Sequence, residues 1–388
     1  MLRFLTAGES HGPSLTLILE GFPAGMPLDI QDLAADLGRR QTGAGSGDRM
    51  KIEDDGARIT GGVLAGHTTG APVAITIPNK DFISWEKKVI DPMSIPRPGH
   101  ADLAAALKYG YPDLRLGLER SSARETAARV AIGAICRKLL LRYGISIGSY
   151  ISQIASVRAN FTGKTLEERI RQAEESAARC PDPEATRKIL QAIDIAANAG
   201  DTLGGVIELA ALNVPPGLGS HVHWDRRLSS RLAQALMSIP AIKAMEIGEG
   251  AGFVSGSGST SHDGIKLQDG RLERTSNHAG GLEGGISNGE PILVRLVMKP
   301  IATTRIGSPS VNLISGESAV SRYERSDVCP GPRAAVVGEA MMAIVLAGAL
   351  LEKLGGDTVS EMDQRWFQMR TGRLENMEVR DEPTVFWP

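Results

Sequence analysis

The sequence predicts an α+β fold, a β-α-β sandwich with central helices between two antiparallel sheets and a pseudo-two-fold internal duplication. Three observations predict it. A small-residue apolar run from Ala127 to Leu141, in a helix starting at Ser122, and a second long apolar helix from Arg333 to Leu354 both need cover on two sides. Antiparallel sheets that bury one face each supply that cover. Ser14 to Glu20 alternates polar and apolar residues like a half-buried strand. The chain also echoes itself. Glu9-Ser10-His11-Gly12, a strand, a Pro-Ala-Gly turn and a helix to Arg40 have a counterpart from Asp201-Thr202-Leu203-Gly204 through Pro215 to Gly217 and a helix to Met237. Gly61 to Pro72 likewise matches Gly280 to Pro291, each followed by an apolar strand. One domain over 1–388 is expected, with halves at about 1–145 and 200–355 and a tail at 356–388.

Leu2 to Thr6 and Ser14 to Glu20 predict strands flanking a Gly8–Gly12 loop. Asp29 caps a helix to about Arg40, with Leu33 and Leu37 on one face. A glycine-rich loop runs from Gln41 to Met50, and hairpin strands follow with Asp54-Asp55-Gly56 as a turn. Asn79 to Pro98 lacks a period and carries Pro92 and Pro96, which predicts a surface loop. Ser122 with Glu125 three residues on predicts a capping box, and that helix ends near Tyr143-Gly144. A strand over Ile145–Val157, helices over Thr165–Cys180 and Glu184–Ala199, and a strand over Val206–Leu212 lead into the second half.

Charged residues (23%) and hydrophobic ones (42%) are in globular proportion. A net charge of −2 and 4% aromatics argue against nucleic-acid binding through bulk charge or a basic aromatic sheet face. Three distant cysteines, Cys136, Cys180 and Cys329, predict buried thiols in a reducing cytoplasmic setting, with no metal site. Met1 to Thr16 is interrupted by Arg3, Glu9 and His11, so no signal peptide is expected. The longest apolar run, Ala340 to Leu351, is short for a membrane span and predicts a helix buried on all sides.

Arg40, Arg49, Arg97, Arg120, Arg124 and Arg325 sit beside Gly, Pro or Ser turns, where guanidinium forks suit phosphate and carboxylate. The helix start at Ser122 adds unpaired N–H groups and a positive dipole end. His11 and His100 lie in the same loops as these cations, so proton exchange near neutral pH is available beside an anion cradle. Asp327, in Arg325-Ser326-Asp327, reads equally as a structural ion pair or a base. His221, His223, His262 and His278 share no ligand spacing and read as structural. The pattern points to a small polyanionic substrate or cofactor.

Gly8-Glu9-Ser10-His11-Gly12, Arg97-Pro98-Gly99-His100-Ala101-Asp102, Arg120-Ser121-Ser122-Ala123-Arg124-Glu125-Thr126, Asn277-His278-Ala279-Gly280-Gly281 and Arg325-Ser326-Asp327 resemble, in order, the signature blocks of the chorismate synthase family. The resemblance covers about residues 3–355. It implies a lyase of the shikimate pathway of aromatic amino acid biosynthesis. Phosphate is eliminated in an anti-1,4 sense from 5-enolpyruvylshikimate 3-phosphate, with reduced FMN (FMNH2) required and no net redox change. By the same resemblance Ser10, Arg40, Arg49, Arg97 and Arg124 would bind substrate. His11 would protonate the departing phosphate, His100 the reduced flavin, and Asp327 would take the proton at flavin N5. Flavin contacts carry over to Arg120, Ser121, Ser122, Thr260, Ser261, Gly284, Lys299, Pro300, Ile301, Ala302, Thr303 and Arg325. A homotetramer is implied, along with NADPH as the source of reducing power. No nicotinamide-binding unit is apparent, so flavin reduced elsewhere is expected.

One position departs from the family pattern: Ser46 stands where the family usually has arginine, with Asp48 nearby. Either another basic residue takes over or the phosphorylated partner is held less tightly, and Ser46→Arg is expected to lower an apparent KM. Two rival classes remain. A phosphosugar- or nucleotide-binding regulator would use the arginines but not His11, His100 or Asp327, and an RNA-binding protein conflicts with the near-neutral charge.

Overall fold

The computed structural model describes residues 1–47 and 55–387, so Asp48 and Arg49 of the glycine-rich loop lie outside the described residues. In the first half the chain forms β1 (Arg3–Ala7), β2 (Ser14–Glu20), α1 (Ile30–Gln41), β3 (Arg58–Gly61), β4 (Val63–Leu64), β5 (His67–Thr68), β6 (Val73–Pro78), α2 (Asp102–Tyr109), α3 (Arg115–Ser121) and α4 (Thr126–Arg142). The second half brings β7 (Ser146–Ile154), β8 (Val157–Arg158), α5 (Leu166–Glu175), α6 (Pro183–Ala199), β9 (Gly205–Leu212), α7 (Leu228–Met237), β10 (Ile242–Ile247) and α8 (Gly258–Ser261). It continues through β11 (Ile265–Gln268), β12 (Arg271–Arg274), β13 (Leu282–Glu283), β14 (Ile286–Ser287), β15 (Ile292–Met298), β16 (Pro309–Val311), β17 (Ser318–Val320), α9 (Gly331–Leu354) and α10 (Val359–Trp366).

Alternation sets the outer layers. On β2, Leu15, Leu17 and Leu19 are buried while Thr16, Ile18 and Glu20 face outward. The first sheet runs β1-β2-β6-β3 and the second β10-β15-β9-β7-β8, antiparallel throughout. Read from β7, the second order repeats the first: β7-β9-β15-β10 against β1-β2-β6-β3. The helices and hairpins follow suit, with α7 in the place of α1, β13–β14 of β4–β5 and α9 of α4.

The duplication reaches single hydrogen bonds. Thr68 Oγ1 donates to Pro23 O and accepts from Met26 N, at 2.6 and 3.0 Å. Ser287 Oγ donates to Pro215 O and accepts from Leu218 N, at 2.6 and 2.8 Å. The second repeat begins at β7, earlier than the expected 200, because α5 and α6 are inserted between its first two strands.

The central helices α4 and α9 cross closely. A Cβ on Gly133 would lie 2.3 Å from Ala340 Cβ, so only glycine permits the approach. By length and composition α9 could cross a membrane, but its apolar window is 78% buried inside the fold. Glu339 on that helix is buried and accepts from Arg39 and Ser149 at 2.9 and 2.5 Å, so its charge is paired. Part of the tail joins the core through Val359 and Met362 of α10. Cys136, Cys180 and Cys329 are buried free thiols, and burial pushes Cys329 up to about 11.

Two local expectations are corrected. No capping box forms at Ser122. Its Oγ accepts from Arg124 N at 3.3 Å and opens a 3-10 turn over Ala123–Glu125, ahead of α4. Glu125 instead accepts from Thr6 Oγ1 and Arg129 Nε at 2.7 and 2.8 Å, the cation one turn on outcompeting a neutral N–H. The 79–98 stretch also reaches inward. It contains a 3-10 turn, Lys80–Ser84, with Asp81 buried against Arg325 at 2.6 Å.

Candidate active site

A cavity of about 400 Å³ opens where the two repeats meet, within the usual range for small-molecule sites. The first repeat contributes the β1–β2 loop, the end of α1, the 97–101 loop and the segment before α4. The second contributes the start of β10, the end of β15 and the 324–333 segment that leads into α9.

Three arginines form its floor, and each is held by buried acceptors. Arg40, Arg97 and Arg124 are 3%, 6% and 6% exposed. Arg40 belongs to the last turn of α1 rather than to a loop. Asp55 ties two of them together, accepting from Arg40 Nη1 at 3.0 Å on one oxygen and from Arg124 Nη1 on the other. Asn79 Oδ1 accepts from Arg124 Nε at 2.8 Å, while its Nδ2 donates to Glu9 O and Gly12 O at 3.1 and 2.7 Å. One amide thus fixes both the arginine and the His11 loop. Burial lowers Arg40 to about 10; Asp55 opposes this, and the charges of Arg333 and Arg124 reinforce it. Crowded cations of this kind are relieved by an anion.

His11 and His100 each rest on a carboxylate. His11 Nδ1 meets Glu119 Oε1 at 2.7 Å, and His11 N donates to Glu119 Oε2 at 2.8 Å. A carboxylate only accepts, so Nδ1 carries the hydrogen and the basic lone pair of the neutral ring lies on Nε2. Burial would raise the Glu119 carboxyl, but the His11 bonds outweigh it and hold it below the ordinary range. The Trp85 ring lies against the imidazole, with centroids 4.1 Å apart.

His100 Nδ1 meets Asp102 Oδ1 at 2.5 Å, and Asp102 accepts from Arg97 N, Nε and Nη2 at 3.1, 2.8 and 3.0 Å. Burial favours a neutral Asp102, yet His100 and Arg97 pull its carboxyl well below the usual range. Arg97 Nη1 also donates to Thr303 Oγ1 at 2.9 Å, joining the two repeats.

Asp327 accepts from Gly47 N at 2.8 Å and pairs with Arg333 Nη1. Lys299 Nζ donates to Gly99 O at 2.6 Å; burial lowers its pKa, helped by Lys243. Ser10 Oγ donates to Ser122 Oγ at 2.9 Å, and Ser121, Ile301, Ala302 and Arg325 complete the expected residues that line the cavity.

The other expected residues among those described lie elsewhere. Arg120 turns from the cavity and donates to Thr6 O and Thr6 Oγ1, both at 2.8 Å. Pro300 is not in the lining, and neither are Thr260 and Ser261, which belong to the exposed α8. Gly284 sits in the turn of the β13–β14 hairpin, whose strand β14 is bridged to Gly219 well along the chain from the lining segments. Arg49 lies outside the described residues.

The chorismate synthase family model matches residues 2–351. The chain belongs to the chorismate synthase family. Relatives named chorismate synthase include that of Carboxydothermus hydrogenoformans, 46% identical over 94% of this chain and 97% of the relative. The chorismate synthase of Aquifex aeolicus is 49% identical over 94% and 96%. A crystal structure titled as chorismate synthase superposes with a TM-score of 0.78 at 44% identity, covering 95% of this chain and 96% of the other.

Against the chorismate synthase signature blocks, sequence reasoning missed Asp55, Asn79, Trp85, Glu119 and Arg333. Asp55 was visible only as a turn signal and Glu119 only as the residue before Arg120. Arg333 left one trace, a cation in the first turn of an apolar helix, where the dipole disfavours it.

Proposed function

We propose that the chain converts 5-enolpyruvylshikimate 3-phosphate to chorismate by anti-1,4-elimination. The C3–O bond to phosphate and a C6–H bond break, a new double bond forms, and reduced FMN is required without net redox. The observation that carries the reading is the junction cavity, in which Arg40, Arg97 and Arg124 face two carboxylate-backed histidines. The residues present fit a flavin: Leu118, Pro240, Met298, Ile301 and Ala302 offer an apolar wall, and Lys299 and Arg325 offer cations at its edge.

When bound, the reduced flavin supplies electron density that helps phosphate depart and a place for the C6 hydrogen. The three arginines hold the phosphate and carboxylates and neutralise charge as it grows on the leaving oxygen. His11, kept by Glu119 with Nδ1–H engaged, delivers a proton from Nε2 to the phosphate. Asp102 holds the Nδ1 proton of His100, so that Nε2 would be the nitrogen that exchanges a proton with a bound reduced flavin. Asp327, fixed by Gly47 N–H and Arg333, would serve as the carboxylate that accepts a proton from N5 of a bound flavin. The same reading carries a cytoplasmic enzyme of the shikimate pathway, a homotetramer, and NADPH acting through a separate reductant.

The test is anaerobic mixing of the full chain with dithionite-reduced FMN and 5-enolpyruvylshikimate 3-phosphate, followed by phosphate release. Stoichiometric phosphate with chorismate is expected. Tight binding of the substrate with no phosphate released would favour the regulator instead.

A further inference from the structure

Ser46 removes one of the cations expected in the glycine-rich loop. Its Oγ donates to Gly43 O at 2.7 Å and closes a local turn. A guanidinium from the other repeat approaches the same loop. The Arg333 side chain leaves the first turn of α9 beside this loop, its Cγ 3.8 Å from where a Cβ on Gly43 would stand. Its Nε donates to Arg40 O at 3.0 Å. Its Nη1 pairs with Asp327 Oδ2, and the other oxygen of that carboxylate accepts from Gly47 N, one residue beyond Ser46.

Arg333 lines the cavity, is 9% exposed, and stands close enough to Arg40 to depress its pKa. Asp327 and the Arg40 carbonyl hold the guanidinium, but its surroundings oppose a cation. Ala334 and Ala335 follow it in the core, a cation in the first turn opposes the helix dipole, and Arg40 and Arg124 are already positive. A bound dianion would reverse all three costs.

We propose that Arg333 supplies the cation missing at Ser46: it binds a phosphate monoester in the cavity and positions Asp327. The proposal deepens the chorismate synthase reading and rests on it. Two phosphate monoesters enter this chemistry, the substrate and FMN, and direct binding separates them.

Wild-type protein, Arg333→Ala, Ser46→Arg and the double variant are titrated calorimetrically with 5-enolpyruvylshikimate 3-phosphate and, separately, with oxidised FMN. Melting temperatures check folding, and Arg333→Gln substitutes if the alanine variant does not fold. Arg333→Ala is expected to weaken one of the two ligands by about 10- to 150-fold, the usual range for losing a charge-assisted hydrogen bond. Ser46→Arg alone should change affinity by no more than about twofold, because the cation is already present. This replaces the expectation that Ser46→Arg lowers KM. Adding Ser46→Arg to Arg333→Ala should restore most of the lost affinity, which a purely structural arginine would not permit. Unchanged affinity for both ligands in Arg333→Ala, or no recovery in the folded double variant, overturns the proposal. A wild-type protein that binds these ligands but releases no phosphate sinks the reaction and leaves the anion site standing.

Discussion

Glu119→Gln isolates the support under His11. The wild-type carboxylate takes the imidazole Nδ1–H on one oxygen and the His11 backbone N–H on the other, at 2.7 and 2.8 Å. Both side chains are well shielded, 13% and 14% exposed, so water screens the pair only weakly. A glutamine can accept one of these hydrogens but presents its own N–H to the other. At least one charge-assisted bond is lost, about 1.5–3 kcal/mol. If that support is felt in the proton-transfer step, the rate falls about 10- to 150-fold. The pH sign follows from Glu119. Its depressed carboxyl means the interaction is complete above the ordinary glutamate value of about 4.3 and is lost only as pH falls through the lower folded value. Across neutral pH, then, the wild type has the full interaction and the variant lacks it. Anaerobic single-turnover phosphate release at pH 6–8 should show the drop in kcat, with KM within about threefold, since the arginines that bind substrate are untouched. A kcat equal to wild type, or a loss wholly in KM, would refute the assignment of His11 as the proton donor held by Glu119.

Asp102→Asn should cost about 3–5 kcal/mol in urea unfolding, because Arg97 keeps its charge in a buried site without a counter-charge. Because the Asp102 carboxyl is depressed, that stabilisation is present above about pH 3.9 and fades only as pH falls further, so the gap to wild type should match at pH 7 and pH 5. Asp55→Ala releases Arg40 and Arg124 together; substrate affinity should fall about tenfold or more by calorimetry, and an unchanged affinity would remove Asp55 from the clamp. Gly133→Val forces α4 away from Ala340 and should destabilise by about 1–3 kcal/mol or more, read as a lower urea midpoint with ligand stoichiometry kept in the folded fraction.

The layered fold was legible because its signals are local and periodic. Leucines at every second position mark β2, Asp29 caps α1 with Asp32 answering it, and apolarity all round marks α9. The site was legible where charge sits beside glycine, as at Arg97 and His100. It was hidden where the partner lies far along the chain. Asp55 and Arg124 are 69 residues apart, His11 and Glu119 are 108 apart, and no spacing rule links such pairs. Glu125 failed as a cap for a related reason: Thr6, distant in sequence, and Arg129 competed for the same carboxylate.

Net charge says little about this protein's appetite for anions, and the duplication explains why. At −2 overall, the chain has no bulk field to draw a phosphorylated substrate. What it has is two long central helices, related by the repeat, that both start at the same cavity: Ser122 to Arg124 lead into α4, and Pro330 and Arg333 open α9. Each helix start brings a positive dipole end, and each carries an arginine. Doubling the fold therefore doubled the anion-binding end in one place. The loops then diverged: the first repeat placed His11 after β1, while the matching stretch of the second, Asp201 to Gly204, holds Leu203 at the corresponding point and uses Thr202 to bind Ile301 O at 2.8 Å. Symmetry supplies the electrostatics and asymmetry the proton chemistry. Charge substitutions at either helix start should thus weaken binding alike, whereas replacing His11 or His100 should stop turnover.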